Sequence, residues 1–176
     1  MTHKILVVND NDQPIGEFSK EEVWEKGLLH RIVRIMVEDE EGRILLQKRS
    51  MQVDTFPGCW DHSAAGHVDA GEDYEEAAKR ELHEELGISN ATLHKIAVYR
   101  TSNTFNGRKL NRFNALYKAT IDASQPLNLQ ESEVGEAKWF TLDEVKELVA
   151  EQPDNVTDGL AQVISDYYAK ETQGEH

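Results

Sequence analysis

The stretch GHVDAGEDYEEAAKRELHEELGI, residues 66–88, carries the side chains whose types and spacing could do chemistry. On a helix, Glu81, Glu84 and Glu85 are related by three and four positions and fall within an arc of roughly 100°, so three carboxylates share one face. Like charges at these intervals cost a helix a few tenths of a kcal/mol per pair, a penalty that a hard divalent cation reverses. Clustered carboxylate oxygens suit magnesium or manganese, which keep positions open for water and for phosphate oxygens. Arg80 can reach Glu84 one turn along, and Glu72 or Glu76 toward the helix start, which gives it an orienting role. Glutamate-rich helix faces are common and usually just solvated. Spacing alone therefore leaves a surface and a metal site both open.

The helix that positions these groups is predicted over 73–86, because Ala78, Leu82 and Leu86 recur at four-residue spacing and Gly87 stops the pattern. Its apolar arc anchors in the core while the neighbouring arc holds the carboxylates at the core's margin. Upstream, Ile5–Val8 and Ile15–Phe18 flank a cluster of turn formers and read as a hairpin within residues 3–18. Ser19 and Glu22 have capping-box spacing and Gly27 suits a C-cap, so a short helix lies between them. A second hairpin joins His30–Val37 to Arg43–Gln47, and residues 50–61 read as an irregular connection. Residues 93–101 and 110–121 look like paired strands, with Asn106-Gly107 in the loop between them. Thr141 and Glu144 open a helix to about Ala150, and a last helix covers 157–169. Strands before, between and after helices, joined largely as hairpins, argue an α/β (α+β) sandwich of mixed sheet and helices rather than a doubly wound fold.

The chain has 176 residues, 39% hydrophobic and 30% charged, which suits one globular domain over 1–176 with no membrane span. A single cysteine, Cys59, excludes an internal disulfide framework and a thiolate zinc site, and fits a reducing, cytoplasmic compartment. The five apolar residues before Asn9 are too few for a signal peptide. With 33 acidic against 19 basic residues the formal charge is -14, a field that repels nucleic acid and anionic lipid. An anionic ligand would need a cationic bridge.

Residues 66–88 resemble the Nudix box: glycine, five residues, glutamate, seven residues, arginine, glutamate, aliphatic, any, glutamate, glutamate, any, glycine, aliphatic. Gly66, Glu72, Arg80, Glu81, Leu82, Glu84, Glu85, Gly87 and Ile88 fill it without a departure. Nine specified positions match by chance with a probability below ~10⁻⁶ per chain. The resemblance implies the Nudix fold, a mixed sheet between helices, and Mg²⁺ or Mn²⁺ held by a loop-helix-loop. It also implies hydrolysis of a diphosphate bond in a nucleoside diphosphate derivative, with a small-molecule diphosphate as the partner and a monomer or homodimer as the assembly. By that resemblance Glu81, Glu84 and Glu85 are metal ligands, the Gly66 carbonyl completes the shell, and Glu72 and Arg80 are the supporting pair. The general base is a glutamate of the box, or Glu131, Glu133 or Glu136 in a downstream loop.

Beyond the box, KGLLHR at 26–31, LLQKRS at 45–50, DTFPGCW at 54–60 and HSAAGHV at 62–68 are similar to type 1 isopentenyl-diphosphate isomerases, across roughly residues 3–148. Isomerases carry an acid/base cysteine directly before the glycine that opens the box, where this chain has Ala65. Their later strand holds catalytic and metal-binding glutamates, where Leu110, Asn111, Arg112, Phe113 and Asn114 stand here. Two of their histidine ligands match His30 and His67, and a third is replaced by Val23. The expectation is a hydrolase on an isomerase-like scaffold, against an isomerase or a catalytically idle nucleotide sensor as alternatives.

Weaker signals remain. Arg49 aligns with a diphosphate-contacting position of the isomerases and Lys48 precedes it, with a solvated basic pair as the bland alternative. His30 and His67 read equally as ligands for phosphate or a second ion and as packed structural histidines. Phe56 and Trp60 suit the core better than base stacking, and Cys59 has no activating constellation. The 102–109 loop is a candidate for nucleobase selectivity.

Overall fold

The structure, a computed structural model, describes residues 3–168. β1 (Lys4–Val8) and β2 (Pro14–Ser19) form the expected hairpin, and α1 (Lys20–Lys26) follows. The Ser19 side chain accepts from the Glu22 amide at its start, and Gly27 closes it in the left-handed region at φ 65°. β3 (His30–Glu38) and β4 (Ile44–Arg49) are joined at the predicted turn, but they pair only at Val37–Leu45 and Glu38–Ile44 before parting. The edges this exposes are taken by two short strands within and after the stretch expected to be irregular. β5 (Trp60–Asp61) pairs with β4, and β6 (Ala64–His67) pairs with β3.

Buried polar side chains satisfy the backbone where the strands fork. Ser63 Oγ accepts from the Val37 amide at 2.7 Å and donates to the Leu45 carbonyl, while Gln47 Nε2 donates to the Ser63 carbonyl at 3.1 Å. The fork opens the cleft described below.

After α2 (Tyr74–Leu86), β7 (His94–Phe105) and β8 (Arg108–Thr120) run longer than expected. Asn106 and Gly107, at φ 48° and 78°, make a two-residue turn with both central residues left-handed. The 102–109 segment is therefore the end of a hairpin and not a free loop. β8 lies parallel to the whole of β3, from His30–Arg112 to Glu38–Thr120, which makes the sheet mixed. β9 (Val134–Phe140), antiparallel to β4, went unread in the sequence, since its GEAK segment lacks the apolar alternation of a half-buried strand. α3 (Leu142–Glu151) begins with the predicted Thr141–Glu144 capping box. The terminal helix starts at Asp158: α4 (Asp158–Val163) passes into a π-helical turn at Ile164–Tyr168, and position 169 lies outside the described residues.

Period-two alternation along β3 divides the core. Val33, Ile35 and Val37 pack with Ala78, Leu82 and Leu86 of α2 on one face. Met36 packs with Leu116, Val145, Leu160 and Val163 beneath α3 and α4 on the other. The sheet is thus covered by helices on both faces, with a smaller cluster of Ile5, Val7, Val23, Trp24 and Leu110 under α1.

Candidate active site

The site is assembled around α2. Its first turn is capped by the Asp73 side chain, and Gly87 ends it at φ 73° with its amide on the His83 carbonyl. Arg80 ties the helix to the loop that enters it: Nε and Nη2 donate to the two Glu72 oxygens at 2.7 and 2.9 Å, and Nη2 also donates to the His67 carbonyl at 2.9 Å. Glu72 in turn accepts from the Asp69 amide at 2.9 Å. At the other end, the Leu86 and Glu85 carbonyls accept from the Asn128 and Gln130 amides, which lays the 127–133 segment beside the helix.

Glu81, Glu84 and Glu85 do not play equal parts. Glu85 is buried, and its Oε1 accepts from Gln47 Nε2 at 2.8 Å and, at 3.5 Å, from the Ala65 amide. Glu81 lies within hydrogen-bond reach of Glu85 and accepts from Arg80 Nη1 at 2.8 Å. A Cβ added to Gly66 would fall on the Glu81 carboxylate, so the glycine of β6 is needed for close approach rather than for its dihedral angles. Glu84 is more exposed, and its Oε2 sits 3.2 Å from Arg80 Nη1. Burial pushes Glu81 up to about 7 against the pull of Arg80. Burial, and then the charge of Glu81, pushes Glu85 well above the carboxylate range.

Two carboxylates held together out of water, with few donors for their charge, suit an additional cation. Among the described residues no three His, Cys, Asp or Glu side chains are gathered into a finished cage. The oxygen-only set of Glu81, Glu85 and Gly66, with Glu84 one turn outward, fits a hard divalent ion that retains water.

These groups form one wall of a cleft of about 390 Å³. Arginines from distant parts of the chain line the same cleft: Arg34 on β3, Arg49 on β4 and Arg112 on β8. Arg34 donates to Asn114 Oδ1 at 2.9 Å, and its guanidinium packs against Gly159 at the start of α4, where a Cβ would collide with it. Arg49 donates to the Thr55 carbonyl at 2.9 Å and to Asp61 Oδ2 at 3.3 Å. Asp61 is buried. Despite that burial, donation from His62 and the nearby Arg49 and Arg34 charges hold its carboxyl far below the usual range, and Thr157 Oγ1 also donates to it at 3.0 Å.

Of the other expected site residues, His67 borders the cleft, and its buried Nε2 has no partner among the described residues. His30 lies behind it at 5.3 Å between ring centroids, its Nδ1–H on the Leu28 carbonyl, and does not border the cleft. Lys48 is also outside, because alternation along β4 turns it to the face opposite Arg49, where it lies over the Trp60 ring. Trp60 packs edge-on against Phe140, as a core aromatic does. Among the three downstream glutamates only Glu133 borders the cleft; Glu131 does not, and Glu136 is on strand β9 rather than in a loop. Arg34, Asp61 and Arg112 were missed as site residues. They stand far apart in the chain, and only the parallel β3–β8 pairing and the fork bring them together.

The family model described as NUDIX domain matches residues 28–161. The chain is 36% identical over 137 residues to the uncharacterized Nudix hydrolase PA4841 of Pseudomonas aeruginosa, covering 77% of each chain. It is 31% identical over 166 residues to isopentenyl-diphosphate Delta-isomerase 2 of Photorhabdus laumondii, covering 94% of this chain and 92% of that one. The solved structure of DR0079 from Deinococcus radiodurans superposes with a TM-score of 0.75 at 23% identity, covering 94% of this chain and 99% of that one, a likeness of fold. The family match spans the fork, the box helix and the cleft between them, so the chain belongs to the Nudix family, whose hydrolases act on phosphoanhydride bonds and generally use divalent cations.

Proposed function

We propose that the protein is a metal-dependent Nudix hydrolase that cleaves a diphosphate bond in a nucleoside diphosphate derivative by attack of water on phosphorus. The observation that carries this reading is the Glu81–Glu85 pair, with Glu81 packed on Gly66 and Glu85 buried, in a cleft that Arg34, Arg49 and Arg112 also line. When bound, Mg²⁺ or Mn²⁺ supplies charge neutralisation for the diphosphate and a more acidic water. The chain's own groups do the rest. Arg80 and Glu72 hold the helix and its loop in register so that the carboxylates keep their places. Glu133 borders the cleft as a candidate proton acceptor, beside the glutamates of the box. Hydrolysis balances as one water added across the P–O–P bridge, its oxygen to the attacked phosphorus and its protons to the products.

Glu84→Gln and Glu85→Gln test the reading against a panel of nucleoside di- and triphosphates, nucleotide sugars and dinucleotides with magnesium. Turnover by the wild type that drops by roughly a thousandfold in Glu85→Gln, the scale of several kcal/mol of lost charge stabilisation, is expected. Unchanged turnover in both variants overturns it. Metal-dependent binding without turnover would instead favour a nucleotide sensor.

A second reading, isomerisation of isopentenyl diphosphate, draws support from the likeness to the Photorhabdus laumondii isomerase. Against it, Ala65 borders the cleft where isomerases carry the thiol, and Cys59 lies outside that cleft with its thiol raised in pKa by burial. Formation of the allylic isomer without phosphate release would restore it.

A further inference from the structure

Arg112 is the residue of the cleft least explained by the fold. It is partly buried and borders the cleft, yet no side-chain hydrogen bond or ion pair involves it among the described residues, and its buried Nε has no partner. A guanidinium drawn partly out of water with a buried nitrogen left unpaired costs stability, and natural proteins rarely keep one without a use. Its surroundings compound the cost. Arg34 and Arg49 are close enough to repel it, and the acids near it are Asp158 and Asp61. Asp61 is already engaged by His62, Arg49 and Thr157, and Asp158 accepts from the Gly159 amide. Three guanidiniums thus share the cleft with these two acids, and neither acid pairs with Arg112. Beside Arg112, the buried Nε2 of His67 is likewise without a partner at the cleft.

We propose that Arg112, backed by Arg34 and Arg49, receives a terminal phosphate of the substrate, so that the enzyme prefers diphosphates and polyphosphates with a free end over diphosphates esterified at both ends. The inference rests on the hydrolase reading and narrows its substrate. A free terminal phosphate carries roughly -1.5 to -2 charge near pH 7 and presents three acceptor oxygens, the charge and geometry a planar guanidinium fork takes up. A phosphoryl group esterified on both sides carries a single charge. A sugar, base or prenyl chain in that place would leave Arg112 without solvent and without a partner.

The test compares kcat/KM for ADP, which has a free end, with ADP-ribose, which does not, in wild type, Arg112→Met and Arg112→Lys, together with calorimetric titration of inorganic pyrophosphate. The wild type is expected to favour ADP by at least about tenfold. In Arg112→Met that ratio collapses toward one, with ADP losing chiefly through KM, and pyrophosphate binding weakens by about tenfold or more. Arg112→Lys keeps the charge without the fork and falls between. Because Arg112→Met removes a partly buried charge that has no partner, its melting temperature should not fall, and Arg112→Lys carries the comparison if that variant does not fold. A wild-type preference for ADP-ribose, or an unchanged ratio in a folded Arg112 variant, overturns the proposal. Turnover of neither nucleotide counts against the hydrolase reading alone. The pyrophosphate titration then decides for Arg112: equal affinity in wild type and variant overturns its role, and a tenfold loss upholds it.

Discussion

At the scale of single residues, the Glu81–Glu85 pair sets function against stability. Two carboxyl groups held together under burial repel, and the protein without metal bears that cost in the folded state. Glu85→Gln removes a carboxyl whose ionised form is disfavoured by burial and by Glu81, while leaving an oxygen that can accept from Gln47 Nε2. The variant is therefore expected to melt higher than the wild type in EDTA at neutral pH, although it loses turnover. Scanning calorimetry of both proteins, with EDTA and with magnesium, checks this: the wild type should gain from the metal and Glu85→Gln should not. The three glutamates were legible as a face because helix periodicity is local. Their inequality was not legible, because whether a carboxylate is buried depends on Gly66 and Gln47, which come from strands 15 and 34 residues before Glu81.

At the scale of elements, the loop-helix-loop is held by one arginine. Arg80 bridges the loop carboxylate of Glu72, the His67 carbonyl at the end of β6, and Glu81 and Glu84 on its own helix. Replacing it leaves Glu72 and Glu81 without their counter-charge in a partly buried site. Arg80→Gln is expected to destabilise by about 2 kcal/mol, less than the 3–5 kcal/mol range for fully buried pairs because solvent still reaches Arg80. Urea unfolding measures the loss, and hydrogen exchange should show faster amide exchange concentrated in residues 66–72. Caps and turns were the most legible parts of the fold. Ser19, Thr141, Gly27 and Gly87 do what their types imply, since each works through its own neighbours in sequence. β9 and the lengths of β7 and β8 were not legible, because those strands are defined by partners rather than by apolar alternation.

For the whole molecule, buried titratable groups couple stability to pH. His30 is buried and held neutral, its pKa lowered from 6.5 to about 4 by burial and by Arg112. The unfolded chain therefore takes up a proton that the folded protein refuses, and stability from this group is complete above pH 6.5 and falls as pH drops toward 4. Glu81 and Glu85, raised in pKa, pull the other way over an overlapping range, so the contribution of His30 is read from a difference. Relative to wild type, His30→Gln is expected to gain about 3 kcal/mol between pH 7 and pH 4, measured by urea unfolding across that range. A pH-independent difference would contradict this account. The amino-acid order by itself determined the box, the helix that carries it, the caps and hairpins around it, and through them the family. All are short-range patterns, written in intervals of a few residues. Tertiary structure alone decided which side chains share a cleft. The parallel β3–β8 pairing and the fork between β3 and β4 bring Arg34, Arg49 and Arg112 to the same cleft as the carboxylates, and pairing between segments 82 residues apart leaves no local spacing to read.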